Sequence, residues 1–238
     1  MARLYLFAEG QTEQTFASNV LKPHLANFGV YLVGAVLIAT SRRKGKVYRG
    51  GGRHYLPMKN DLVRFLKQEK GADVFFTTMI DLYALPSDFP GTEAASKQRH
   101  LPYARVRTLE EAFAADVGDP RLIPHIQLHE YETYLFVEPK CLELFYDNQP
   151  AAISRLEAMA APPLASPELI DDGPQTAPSK RIAKEFPEYA DAKTTVGPQV
   201  AELIGLPAIR AKCPHFDEWL TRLENLANQP GCIVPASV

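Results

Sequence analysis

Apolar runs of strand length alternate with amphipathic segments through the first 136 residues. Residues 4–8 (LYLFA) read as a first strand. Residues 12–28 then read as a helix, with Thr12 placed to cap it and Glu13 suited to its N-terminal dipole. Pro23 is expected to kink or split that helix. Residues 31–39 form a second strand pattern, and 58–69 carry Leu62, Val63, Phe65 and Leu66 at helical spacing before Gly71. Residues 74–80 are a third strand. Thr108-Leu109-Glu110-Glu111 has the form of a capping box opening a helix that runs to Asp116. Residues 122–128 make a fourth strand, and Pro124 assigns it an edge position or a late start. Strand and helix in alternation predict an α/β fold, a parallel four-stranded sheet flanked by helices.

From Glu130 onward the pattern changes to helical pieces and loops without a convincing strand. Residues 161–178 hold five prolines and Asp171-Asp172-Gly173, and read as a loop or linker. Helices are expected at 179–186, 197–205 and 215–228, the last with Trp219, Leu220, Leu223 and Leu226 on one face. The organisation expected is an α/β core over 1–136 and a helical C-terminal part over 137–238, with a loosely held tail after Pro230.

The 238 residues are 46% hydrophobic and 23% charged, the composition of an ordinary globular protein. The longest apolar stretch, 30–39, falls short of the ~18–20 residues of a membrane helix. No membrane partner and no signal peptide are therefore expected. Cys141, Cys213 and Cys232 are too few and too scattered for a disulfide framework, which suits reduced thiols and a cytoplasmic location. Net charge is only −2, but residues 41–55 gather Arg42, Arg43, Lys44, Lys46, Arg49 and Arg53 without an acid. Such a block is either a phosphate-contacting loop or a solvated surface loop. The Gly50-Gly51-Gly52 run and the interleaved tyrosines favour binding, because glycines let a backbone approach a ligand closely.

Two strands end in an acid. The first runs into Glu9-Gly10, the third into Asp81. A carboxylate at the C-terminal tip of a buried strand is costly unless it is used, and in open α/β sheets that tip is where ligands bind. Glu9 and Asp81 on one sheet edge would suit a divalent cation, since Mg²⁺ takes oxygen ligands from one or two carboxylates, waters and substrate phosphates. Glu130 and Glu132 follow the fourth strand and would share that edge; in extended chain both face one side, while in a helix they diverge, where first-turn acids are also welcome for the dipole alone. His129 is either a proton carrier or a helix cap. Lys180, Arg181 and Lys193 are placed either to offset charge developing on a phosphate or simply to solvate helix surfaces. Asp88 reads as a turn residue, and Cys213-Pro214-His215, with no partner pair at metal-ligand spacing, as a helix start instead of a zinc site.

Parallel βα units with a Glu after strand one and an Asp after strand three resemble the Toprim superfamily, which includes topoisomerase catalytic domains, bacterial primases and the overcoming-lysogenization-defect type of nuclease. Glu9-Gly10 matches the Glu-Gly pair of that pattern; Asp81-Leu82-Tyr83 matches only half of its Asp-x-Asp, with Tyr83 in place of the second acid. More narrowly, EGQTE (9–13), HEYETYLF (129–136), PSKRI (178–182) and CPHFDEWL (213–220) resemble a Toprim-related bacterial family of unknown function often encoded beside ATPases in defence-type loci. The resemblance implies a Mg²⁺- or Mn²⁺-dependent nuclease cleaving nucleic-acid phosphodiesters, working with a partner ATPase. Glu9, Asp81, Glu130 and Glu132 would be its catalytic acids, Glu9, Asp81 and Glu130 its metal ligands. Arg42, Arg43, Lys44, Lys46, Arg49, Arg53, Lys180 and Arg181 would contact nucleic acid. Tyr83 puts a two-metal site in question. It leaves open an alternative, a non-catalytic Toprim-like subunit that binds metal or nucleotide and regulates a partner.

Overall fold

The computed structural model describes residues 1–43, 46–49, 54–170, 173 and 175–229. β1 (Ala2–Ala8) lies at the centre of a parallel sheet, between β2 (Val30–Leu37) and β5 (Val74–Asp81). Alternation along β1 explains why it is central: Leu4, Leu6 and Ala8 enter one apolar core, Tyr5 and Phe7 the other. The sheet order is β2–β1–β5 and then β6 (Leu122–Ile123), with β7 (Ile126–Gln127) also pairing with β5. The fold is therefore α/β with a parallel sheet flanked by helices.

One face carries α3 (Tyr55–Gln68) and α5 (Pro102–Val117), through Tyr55, Met58, Leu62, Val106, Leu109 and Phe113. The other carries α1 (Gln11–Phe16) and α2 (Lys22–Ala26), together with much of the C-terminal half. That half comprises α6 (Pro150–Met159), α7 (Pro178–Glu185), α8 (Tyr189–Ile204), α9 (Leu206–Lys212) and α10 (Pro214–Glu224); the short α4 (Thr92–Ser96) precedes α5. Leu4, Leu6 and Phe16 share one buried cluster with Tyr189, Val200, Phe216 and Leu220, so residues on both sides of 136 build a common core. A fully buried aromatic such as Phe16 contributes roughly 3–5 kcal/mol against truncation to alanine.

Four local expectations are revised. Gly10, not Thr12, is the N-cap of α1, and the segment 11–26 passes through a π turn, Ala17–Leu21, just ahead of Pro23, where helical hydrogen bonding is reset. Thr108 sits inside α5: Pro102 starts that helix, and the Thr108 hydroxyl donates to Gln98 Oε1 at 2.8 Å. The fourth strand is broken into β6 (Leu122–Ile123) and β7 (Ile126–Gln127), opposite Phe76-Thr77 and Ile80-Asp81. Pro124 has no N–H, and the side chains of Thr77 and Thr78 bond the Ile123 carbonyl (2.6 Å) and both the His125 N–H and carbonyl (2.9 Å) across the gap. The basic block is not a plain loop: β3 (Ala39–Arg43) and β4 (Lys46–Arg49) pair antiparallel and put Arg42, Arg43, Lys46 and Arg49 on a hairpin. Lys44, Gly50-Gly51-Gly52, Arg53, Asp171-Asp172, Cys232 and the tail after Pro230 lie outside the described residues.

Candidate active site

The chain leaves β1 toward β2 on one side and returns to β5 on the other, so the crevice beyond the C-terminal ends of β1 and β5 is the topological switch point. Glu9 and Asp81 stand there. The Glu9 N–H donates to the Met79 carbonyl (3.0 Å), and Glu9 Oε2 accepts the Asp81 N–H (2.8 Å). Glu13 turns back across the start of α1 and accepts the Gly10 N–H at 2.8 Å. A Cβ on Gly10 would stand 3.1 Å from Glu13 Oε2, so the carboxylate would have to give by a few tenths of an ångström.

The segment after β7 completes the group. Glu130 precedes the 3₁₀ segment Tyr131–Val137 and is buried, its Oε2 accepting the Ser179 N–H at the start of α7 (2.8 Å). Glu132 is buried on that 3₁₀ segment and accepts from the Tyr189 hydroxyl of α8 (3.2 Å). A Cβ at Gly197 would stand 3.1 Å from Tyr189 Oη of the same helix and in ordinary contact with the Tyr131 ring (3.5 Å) and Thr12 (3.6 Å). EGQTE, the end of β5, HEYETYLF and PSKRI thus meet at one place, while CPHFDEWL does not reach it.

Electrostatics mark the same place. Burial, followed by the charge of Glu13, lifts Glu9 to about 7, against the lowering effects of the Asp81 N–H and Lys193. Burial and then Glu130 lift Glu132 to about 7. Asp81 is raised well above the carboxylate range by burial and by Glu9, Glu13, Glu132 and Glu130, and burial raises Glu13 as well. Lys193, at an exposed position on α8, is the cation that favours the charged forms of Glu9, Glu13 and Glu132. Two polar atoms here are buried without a hydrogen-bond partner, Asp81 Oδ1 and the Tyr131 hydroxyl. Groups of this kind in native proteins ask for a missing ligand, ion or water.

The donor set is all oxygen, which fits a hard cation such as Mg²⁺ or Mn²⁺, and the partnerless Asp81 Oδ1 offers it a ligand. The acids are neighbours without being closed on one point. Among the described residues, only Glu110, His125 and His215 bring three metal-binding atoms within 4.8 Å of one another. Tyr83 stays out of the cluster: it is 45% exposed and lines a separate cavity of about 280 Å³ with Arg99 and Arg105. Its N–H donates to the His129 carbonyl (3.1 Å). Lys180 is exposed on α7, and Arg181 donates to the Thr176 carbonyl. Asp88 accepts the Tyr55 N–H that opens α3 (2.9 Å).

Glu13, Tyr131 and Tyr189 were not readable as site residues. The one sequence signal for Glu13 is its spacing, four residues after Glu9 across a glycine. None of the described helices is long and apolar enough to cross a membrane.

No curated protein and no solved structure matches the chain. A family model described as a domain of unknown function, DUF4276, matches residues 8–224, from the last residue of β1 to the last of α10. That span takes in the strands after β1, the acidic switch point and the helices that cover it, and the chain belongs to the DUF4276 family.

Proposed function

We propose that this chain is a metal-dependent phosphodiesterase acting on nucleic acid, Toprim-like in its chemistry, and working beside a partner ATPase. The observation that carries the reading is the group of acids at the switch point, half-buried Glu9 and Asp81 with buried Glu13, Glu130 and Glu132, and with Asp81 Oδ1 left partnerless. Such a concentration of anions opposes folding unless a cation or a substrate proton uses it. Glu9, Asp81 and Glu130 would hold Mg²⁺ or Mn²⁺, which when bound supplies Lewis-acid polarisation of a phosphoryl oxygen. Glu9 and Glu132, both near 7, sit where a carboxylate can take a proton from water at neutral pH. Lys193 brings positive charge to the mouth of the site.

The purified chain, assayed with its ATPase partner, is expected to cleave nucleic acid in Mg²⁺ or Mn²⁺ and to stop when the metal is chelated. Cleavage that persists in chelator would refute the metal-dependent reading. The alternative, a non-catalytic Toprim-like subunit that binds metal or nucleotide, is favoured by the position of Tyr83 outside the acids. It predicts metal binding without cleavage under any partner condition.

The basic hairpin is assigned to the nucleic-acid backbone. If Arg42, Arg43 and Lys44 contact phosphates, affinity will fall steeply with salt, by a log–log slope of about −0.7 to −0.9 per contact. Replacing the three with alanine should flatten that slope by ~2–3 units. A slope unchanged in the triple variant would reduce the hairpin to a solvated surface.

A further inference from the structure

We propose a second metal site, for a first-row transition ion of the Zn²⁺ type, built by Glu110, His125 and His215. The three come from α5, from the break between β6 and β7, and from the first turn of α10. One donor atom from each lies within 4.8 Å of the other two. Glu110 Oε1 is 3.1 Å from His215 Nε2 and 3.8 Å from His125 Nδ1. Donors around a tetrahedral ion with bonds of ~2.0–2.1 Å stand about 3.3 Å apart, so small side-chain shifts close the set.

His125 supplies the independent observation. Its side chain is fully buried, and neither ring nitrogen makes a hydrogen bond. Its ring stacks on His215 (centroids 4.9 Å) and on Trp219 (4.2 Å), which holds the imidazole in one plane beside a cavity of about 210 Å³. Trp219 is itself tied to β5 through its Nε1–H and Thr77 Oγ1 (2.8 Å). A buried imidazole with both nitrogens idle costs stability that a ligand would recover. Two imidazoles and one carboxylate suit Zn²⁺ and its neighbours in the transition series, whereas Mg²⁺ takes oxygen donors. The site is thus chemically distinct from the acids at the switch point. The cavity beside the three donors is also lined by Glu111, Arg222 and Arg107, the last paired with Glu218 (2.7 Å), and leaves room for water as a fourth ligand. An ion there would pin α10 to the sheet and to α5. This also gives CPHFDEWL a role that the first site leaves unfilled.

The test is titration of the purified chain with Co²⁺, in millimolar Mg²⁺ to occupy the oxygen site. The result expected is one equivalent of Co²⁺ with visible d–d bands, displaced by Zn²⁺, and a rise in Tm. His125→Gln and Glu110→Gln should each weaken Co²⁺ binding by at least about tenfold. Glu110→Gln keeps an oxygen to accept the Ile126 N–H (2.8 Å), so it tests the site even if the histidine variant fails to fold. Absence of d–d bands and of a Tm shift in the folded parent would overturn the proposal, leaving Glu110–His215 as a hydrogen-bonded pair. So would a Co²⁺ titration unchanged in a folded Glu110→Gln chain.

Discussion

Asp81→Asn is expected to abolish Mg²⁺- or Mn²⁺-dependent cleavage while the folded protein becomes more stable. Asp81 Oδ1 has neither solvent nor a hydrogen-bond partner, and burial together with four neighbouring acids disfavours its charge. The amide removes that charge at nearly constant shape and gains an N–H donor for the carboxylates around it. Relief on the order of 1 kcal/mol would raise Tm by ~2–4 °C in a chain of this size. If Asp81 holds the proposed metal, its loss removes several kcal/mol of transition-state stabilisation, a fall of at least ~10²-fold. Glu9→Gln is the companion variant. Its side-chain oxygen can still accept the Asp81 N–H, and loss of the proton acceptor should lower the rate ~10²–10⁴-fold. Both are measured as cleavage with the proposed ATPase partner present, beside a thermal melt. A folded Asp81→Asn protein that cleaves at the parental rate removes Asp81 from the mechanism.

The metal-free chain should lose stability as pH rises from about 4.5 to above 7. Glu9 and Glu132 are lifted from 4.5 to about 7, so in that window the folded chain holds protons that the unfolded chain has released. Their contribution is fully present below 4.5 and is lost as pH climbs through 7. Each carboxyl taken alone has a ceiling on the order of 3 kcal/mol. His215, raised from 6.5, changes in the same direction at the upper end of the window, whereas His125, held well below 6.5 by burial, acts in the opposite sense on the acid side of 6.5. Asp73, Asp116 and Asp119 are lowered by their Arg3, Lys59 and Arg121 partners, and their contributions vanish only on the acid side of 3.8. Glu132→Gln isolates the acidic cluster, since it removes a titrating group and keeps an acceptor for the Tyr189 hydroxyl. Tm measured from about pH 5 to pH 8 should fall less in Glu132→Gln than in the parent. Added Mg²⁺ should stabilise the parent more at the alkaline end, where protons no longer compete for the carboxylates. A Tm profile of Glu132→Gln parallel to that of the parent would mean that Glu132 ionises as it does in water.

What the sequence determined by itself was the part governed by short-range periodicity. Alternation of Leu4 and Leu6 with Tyr5 and Phe7 specified β1, and the run 74–80, apolar but for Thr77 and Thr78, specified β5. An acid directly after each then had to lie at the C-terminal edge of a parallel sheet, which made Glu9 and Asp81 legible as a pair. Local signals failed where tertiary partners outweighed them. Thr108 bonds Gln98 inside α5 in place of capping a helix, and Pro124 broke a strand that threonine side chains repaired across the gap. The arginines of 42–49 took up a hairpin because β3 and β4 pair. Only the tertiary structure decided who joins the acids and who does not. Glu132 meets Tyr189, Glu130 meets the start of α7, and Tyr83 turns outward. His215, read as no more than a helix start, meets Glu110 and His125 across 105 and 90 positions of chain. Contacts of that range leave no period in the sequence; they exist because the sheet order brings α5, α8 and α10 over particular strand ends.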